Sequence, residues 1–267
     1  MNQITDPILS QRETINPYLG AARMIGDRLL WDLNPRSWAS RKALRKIKNR
    51  NLGEKAVILC NGPSLLKVDF SRLEGTFCFG LNKLNLLFDR TAFRPSCIVA
   101  VNPYVIQQNQ AFFNETRIPL FLDRCGLRNG IRPHSNMVFL HSTGIPKFAR
   151  DCSISIFQGH TVTYVALQLA YHMGFQNIAL VGCDHNYTAT GPANATVAAT
   201  GSETGHFDPD YFAAGMEWQL PDLTRSEIAY RIARDVFEAG GRKVVNATAG
   251  GQLEVFERQE LETFLSE

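Results

Sequence analysis

Ala56-Val57-Ile58-Leu59-Cys60-Asn61-Gly62-Pro63-Ser64-Leu65 is the stretch that decides the fold. Five apolar residues in a row, β-branched in the middle and closed by Asn-Gly-Pro, predict a buried parallel strand running into a tight turn. Pro63 suits the first turn of a helix, where its missing N–H costs nothing. A strand, a glycine turn and a helix N-terminus together present free backbone N–H groups, which predicts a phosphate site. The turn has no lysine and no second spaced glycine, so it is neither a P-loop nor a dinucleotide fingerprint.

Outward from this stretch the pattern alternates. Strands are expected at 56–60, Phe77–Leu81, 97–101, 119–122, 137–141, 177–182 and Lys243–Asn246, and the clearest helices at 161–173 and 224–239. The first helix runs into Gly174. The second carries Ile228, Ile232, Val236 and Phe237 near helical spacing and stops at Gly240-Gly241. Alternation of this kind predicts an α/β fold: a Rossmann-like, mostly parallel sheet with helices on both faces. That domain is expected at 51–267, behind a helical basic arm at 1–50.

The totals narrow the class. A chain of 267 residues with 45% hydrophobic and 20% charged residues can bury a sizeable core. A net charge of +3 is too small to argue for nucleic acid. The six cysteines are scattered without a CxxC pair, which argues against zinc and against a disulfide framework. No signal-peptide core and no apolar run of the roughly 20 residues needed to span a bilayer is visible, so a cytoplasmic location is expected.

Residues 36–50, Arg-Ser-Trp-Ala-Ser-Arg-Lys-Ala-Leu-Arg-Lys-Ile-Lys-Asn-Arg, are rich in cations, and Trp31, Trp38, Leu44 and Ile47 are candidates for an apolar side. The segment reads either as a helical arm with its charges in water or as an interfacial helix at 31–50 held against an anionic inner-membrane face. The stretch 188–205, small, polar and nearly uncharged, lacks the apolar content to fold alone and is expected to be a mobile loop or active-site lid.

Several strand ends deliver a small polar residue to one edge of the expected sheet: Asn61, Asn82, Asn102, Asp184 and Asn246. Ligands of open parallel sheets bind beyond that edge. Uncharged amides both donate and accept, which suits a base and ribose. Gly182-Cys183-Asp184-His185-Asn186-Tyr187 is the densest polar cluster. Asp184 is placed to hold a ribose hydroxyl, to ligate magnesium or only to cap the following loop. His185 and His206 flank the loop and are candidate bases for an acceptor hydroxyl. His160 and Thr161 open the helix at 161–173, where they would face anything bound at its N-terminus. Tyr187 and Tyr211 are candidate donors to a leaving phosphate.

Asn61-Gly62-Pro63-Ser64-Leu65, then Asn82, then Gly174-Phe-Gln-Asn-Ile-Ala-Leu-Val-Gly-Cys-Asp-His-Asn-Tyr187, resemble the hydroxymethylpterin diphosphokinase-like family. The ending His206-Phe207, Tyr211-Phe212 and Asn246-Ala-Thr-Ala-Gly-Gly-Gln-Leu-Glu-Val-Phe256 is similar to the same family. Its wider relatives include motility-accessory proteins that glycosylate flagellin and bacterial sialyltransferases with the Asn-Gly-Pro-Ser-Leu opening. The sialyltransferase branch implies a CMP-activated sugar bound without metal, with Asn61, Asn82 and Asn102 at the nucleotide and Asp184 on its ribose side; Gly62, Ser64, Gly182 and Asn186 beside them complete the expected substrate-binding set. A histidine would act as base and tyrosines would assist the leaving phosphate. Cys60 replaces that branch's glycine, and Gln158-Gly159-His160-Thr161-Val162 replaces its Arg-Thr-Ser-Gly stretch. The diphosphokinase branch implies magnesium and ATP, with Asp184 and Asp208 or Asp210 as metal ligands.

The expectation is a nucleotide-dependent transferase, first a glycosyltransferase moving a sialic-acid-like sugar from CMP to a hydroxyl of a surface glycan, with no cofactor. The alternatives are the magnesium-dependent diphosphokinase and a non-catalytic nucleotide-binding or scaffolding protein. Candidate partners are a nucleotide sugar, a glycan acceptor, a membrane surface and a second copy of the chain, but not nucleic acid.

Overall fold

The computed structural model describes residues 16–186, 191–199 and 205–267. The chain divides into two compact units, one ending at Ala39 and one spanning Ser40–Glu267. In the first, α1 (Pro17–Asp32) starts where the Asn16 side chain accepts the N–H groups of Tyr18 and Leu19. The basic helix α2 (Pro35–Ile47) runs across the boundary. Two of the four expected apolar residues of the arm are inward rather than presented to an interface: Trp31 and Leu44 are buried.

The second unit is built on β1 (Lys55–Leu59), β2 (Phe77–Leu81) and β3 (Cys97–Ala100), then α3 (Pro103–Gln108) and α4 (Gln110–Glu115). There follow β4 (Leu120–Asp123), β5 (Met137–Leu140), α5 (Val162–Met173), β6 (Asn177–Val181), β7 (Thr196–Ala198) and β8 (Glu217–Gln219). The chain ends with α6 (Leu223–Ala239), β9 (Lys243–Asn246), β10 (Glu257–Arg258) and α7 (Leu261–Ser266). Eight strands form one sheet in the order β10-β9-β6-β1-β2-β3-β4-β5, and each neighbouring pair is parallel. This is the α/β, Rossmann-like architecture that strand–helix alternation predicts.

The uninterrupted apolar run of β1 follows from its central place. Ala56 and Ile58 face the side filled by α5 and α6, while Val57 and Leu59 face a second core with Leu65, Tyr211, Trp218 and Phe264. A strand covered on both faces has no reason to alternate with polar residues. Helix α5 is apolar nearly all round for the same reason and packs on β1, β2 and β3. Thr161 caps its start, accepting from the Thr163 N–H. Gly174, at φ +98°, ends it in the left-handed conformation that glycine adopts without strain.

Gln168 is one of three buried polar residues on α5, with Thr163 and His172. Its Oε1 accepts the N–H groups of Ala149 and Phe157, and its Nε2 donates to the carbonyls of Phe157 and Tyr164. It satisfies the backbone of the irregular stretch between β5 and α5. Gln168→Leu, close in volume, strands two buried N–H groups and is expected to destabilise by about 2–4 kcal/mol in urea unfolding.

Two local expectations fail. Pro63 opens not an α-helix but a five-residue 3₁₀ turn, Pro63–Lys67. Within the segment expected to be mobile, Thr196–Ala198 is ordered as β7, antiparallel to β8; residues 188–190 and 200–204 lie outside the described residues.

Candidate active site

Strand order reverses between β1 and β6, and a cavity of about 560 Å³ opens beyond the carboxyl ends of the strands there. Each strand end contributes in turn: Asn61 and Gly62 after β1, Asn82 after β2, Asn102 after β3, and Gly182 to Asn186 after β6. His160 and Thr161 reach it from the start of α5, and His206 and Tyr211 from the segment before β8. Of the remaining expected residues, Ser64 and Asn246 do not line the cavity. Asn246 is buried, donating to the Leu253 carbonyl and accepting the Thr248 N–H, so it holds the turn after β9. Tyr187 lies outside the described residues.

The glycine turn is not an open phosphate cradle. Asp184 reaches across from the β6 end, accepts the Ser64 hydroxyl at 2.7 Å and sits 3.3 Å from the Ser64 N–H. The turn's free donor is therefore answered by a side chain of the protein, and the phosphate expectation fails at this position. Position 62 must be glycine for a steric reason: a Cβ there would stand 2.0 Å from Asp184 Oδ2 and 2.7 Å from the Gly182 carbonyl. Asp184 is itself held by its backbone, whose carbonyl accepts the Gln252 N–H at 2.8 Å.

The amides differ in what they leave available. Asn102 is committed, accepting the Tyr104 N–H as the cap of α3 and donating to Gln219. The Oδ1 atoms of Asn61 and Asn82 are buried and have no hydrogen-bond partner among the described residues. Asn82 is also at φ +51°. Two orphaned buried acceptors on adjacent strands are costly unless a ligand supplies the donors.

Three histidines line the cavity, in three settings. His185 Nε2 lies 3.2 Å from Glu227 Oε1 on α6. An Nε2–H donated to that carboxylate leaves Nδ1 as the basic nitrogen. His160 Nδ1 is 3.7 Å from Asp222. His206 instead stacks on Tyr211, ring centres 4.0 Å apart, with Phe212 and Trp218 edge-on. It belongs to an aromatic wall. Behind this wall Lys83 is buried, donating to the Tyr211 carbonyl at 2.6 Å and to Gln108, and desolvation pulls its ammonium down to about 8.

The floor is chemically quiet. A hydrogen bond with the Cys183 thiol, reinforced by burial, holds the Cys60 thiol well above its usual range, and burial does the same to the Tyr230 phenol. Neither is a ready nucleophile. At the β4–β5 side, Ser142 donates to Asp123 at 2.5 Å and accepts from Gln158 at 2.9 Å.

Sequence reasoning missed Glu227, Ser142 and Asp123. Glu227 sits among the charges of an amphipathic helix and looks like any solvent-facing acid. Asp123, ending β4, followed the rule that marked Asn61 and Asn82 and was findable.

Residues 34–190, more than half of the chain, match the model of the family described as 6-hydroxymethylpterin diphosphokinase MptE-like. The chain belongs to that family. No curated protein matches it. The family resemblance expected from Asn61–Leu65, Asn82 and Gly174–Tyr187 is thus upheld, and with it a diphosphokinase-like character at the level of the family.

Magnesium, which the diphosphokinase reading calls for, fits this donor set poorly. Asp184 is the cavity's one carboxylate among the described residues, and its oxygens are turned to Ser64. The expected companions are elsewhere: Asp208 is ion-paired with Arg90 at 2.7 Å, Asp210 is exposed, and neither lines the cavity. No group of three His, Cys, Asp or Glu side chains among the described residues is placed to hold a metal.

Proposed function

We propose that this member of the MptE-like family is a nucleotide-dependent transferase that takes a CMP-activated, sialic-acid-like sugar and passes it to a hydroxyl acceptor. The observation that carries the reading is the make-up of the cavity: amides, hydroxyls and aromatic rings, with no lysine or arginine among the described lining residues. A triphosphate carries several negative charges and is ordinarily met by cations or a metal. A sugar nucleotide with one phosphate asks for less. The N-terminus of α5, with the Thr161 side chain lining the cavity beside it, turns the positive end of the helix dipole toward a single phosphate.

In this reading Asn61 and Asn82 receive the donors of the base and ribose, and the aromatic wall covers the base. His185, oriented by Glu227, takes the proton from the acceptor hydroxyl. The acceptor oxygen bonds to the anomeric carbon as the bond from that carbon to the phosphate oxygen breaks, and CMP leaves. Asp184 shapes the turn that carries Asn61 instead of contacting the phosphate.

Diphosphate transfer from ATP is the second reading, favoured by the family match over residues 34–190. Calorimetry separates the two. CMP is expected to bind in EDTA at micromolar to sub-millimolar concentration, and ATP to bind weakly with or without magnesium. ATP binding that requires magnesium, with none for CMP, transfers the assignment to the diphosphokinase, and no binding of CMP, CTP or ATP leaves the scaffolding role.

A further inference from the structure

The most conspicuous unexplained feature lies far in sequence from the cavity residues. Along one side of α1, Tyr18 is 84%, Ile25 61% and Leu29 56% exposed, and Leu33, just past the helix end, is 72% exposed. The spacings of seven, four and four put these residues on one stripe. Leu30 and Trp38 add further apolar surface at 67% and 59% exposure. The charges of α1 itself, Arg23, Asp27, Arg28 and Asp32, cancel.

The residues that follow do not cancel. From 36 to 50 there are seven cations and no acid. Lys48 is paired with Asp151. Arg36, Lys42, Arg45, Lys46 and Arg50 are exposed and have no acidic partner among the described residues. No described helix is long and apolar enough to cross a membrane.

We propose that residues 16–50 are an interfacial anchor for an anionic lipid surface. The apolar stripe of α1 enters the boundary between headgroups and acyl chains, and the cations of 36–50 hold the anionic headgroups. Charge decides the occupant. A second copy of the chain would cover the stripe but would bring the same uncompensated cations toward their like, whereas an anionic bilayer supplies apolar depth and countercharge together. The sequence-level placement at 31–50 therefore moves toward the N-terminus: the buried Trp31 and Leu44 are replaced as inserting residues by Tyr18, Ile25, Leu29 and Leu33. The inference does not depend on which group the cavity transfers.

Co-sedimentation of the full-length protein with vesicles tests it, using phosphatidylcholine alone or mixed with phosphatidylglycerol. Partitioning is expected to be at least about tenfold stronger with phosphatidylglycerol and to collapse near 1 M salt, where screening reduces the Debye length to about 3 Å. Ile25→Glu with Leu29→Glu, both on the exposed stripe, should abolish it without changing the urea midpoint. Lys42→Ala with Lys46→Ala should weaken it severalfold. Equal binding to both vesicles, no binding to either, or unchanged binding by the Ile25/Leu29 variant overturns the proposal. So does a dimer in sedimentation equilibrium that the same variant splits into monomers. The lipid and salt comparison on the unmodified protein stands whether or not a variant folds.

Discussion

His185→Ala is expected to lower kcat by about 10²- to 10⁴-fold, the usual worth of a positioned general base, while CMP affinity stays within about twofold. The assay is release of CMP from CMP-sialic acid with a hydroxyl acceptor present. The expectation rests on the 3.2 Å contact between His185 Nε2 and Glu227, which fixes the ring and its tautomer. Glu227→Gln keeps the contact but removes the charge, so kcat should fall by about tenfold or more with KM unchanged. His206→Ala should behave differently. Its ring is stacked in the wall, so KM should rise more than kcat falls. If His206→Ala abolishes turnover and His185→Ala does not, the base has been assigned to the wrong histidine.

The second large effect belongs to position 62. In Gly62→Ala the new Cβ would meet Asp184 Oδ2 at 2.0 Å and the Gly182 carbonyl at 2.7 Å, and one of these is backbone. The turn after β1 and the end of β6 must separate, and Asn61 moves with them. Nucleotide affinity is expected to drop by about 100-fold and stability by about 1–3 kcal/mol, the range for overpacking a tight site. Asp184→Ala removes one obstacle and leaves Ser64 without its acceptor. Combined with Gly62→Ala it should cost less than the sum of the two single changes, because the substitutions share a contact. Urea unfolding and calorimetry of the four proteins close the cycle. A neutral Gly62→Ala would mean that the approach of Asp184 to the turn is not the arrangement in solution.

The parts of the molecule legible in the sequence are those with local causes. Phe77–Leu81 and Lys243–Asn246 are strands because short β-branched or aromatic runs between turn residues have few other options. Helix α5 is readable from its apolar length and from Gly174 behind it. Helix α3 carried a readable signal, Asn102 as cap with Pro103 in the first turn, that the strand-end reading absorbed. Strand β10 offered none: Glu257 and Arg258 are an ordinary charged pair, and parallel pairing with β9 makes them a strand. At the site, the row of amides was visible because each follows a strand. What Asp184 does was not visible, because its partner Ser64 lies 120 positions earlier in the chain. Nor was the donation from Asn102 to Gln219, a partner 117 positions later in the chain.

The aromatic wall has a consequence of its own. The family match ends at residue 190, whereas His206, Tyr211, Phe212 and Trp218 all come after it. The cavity is thus completed by residues beyond the matched stretch, none of them on the main sheet, and of the four only Trp218 belongs to the two-stranded ribbon. A change at His206, Tyr211, Phe212 or Trp218 would therefore reshape one wall of the cavity while every strand of the eight-stranded sheet keeps its sequence.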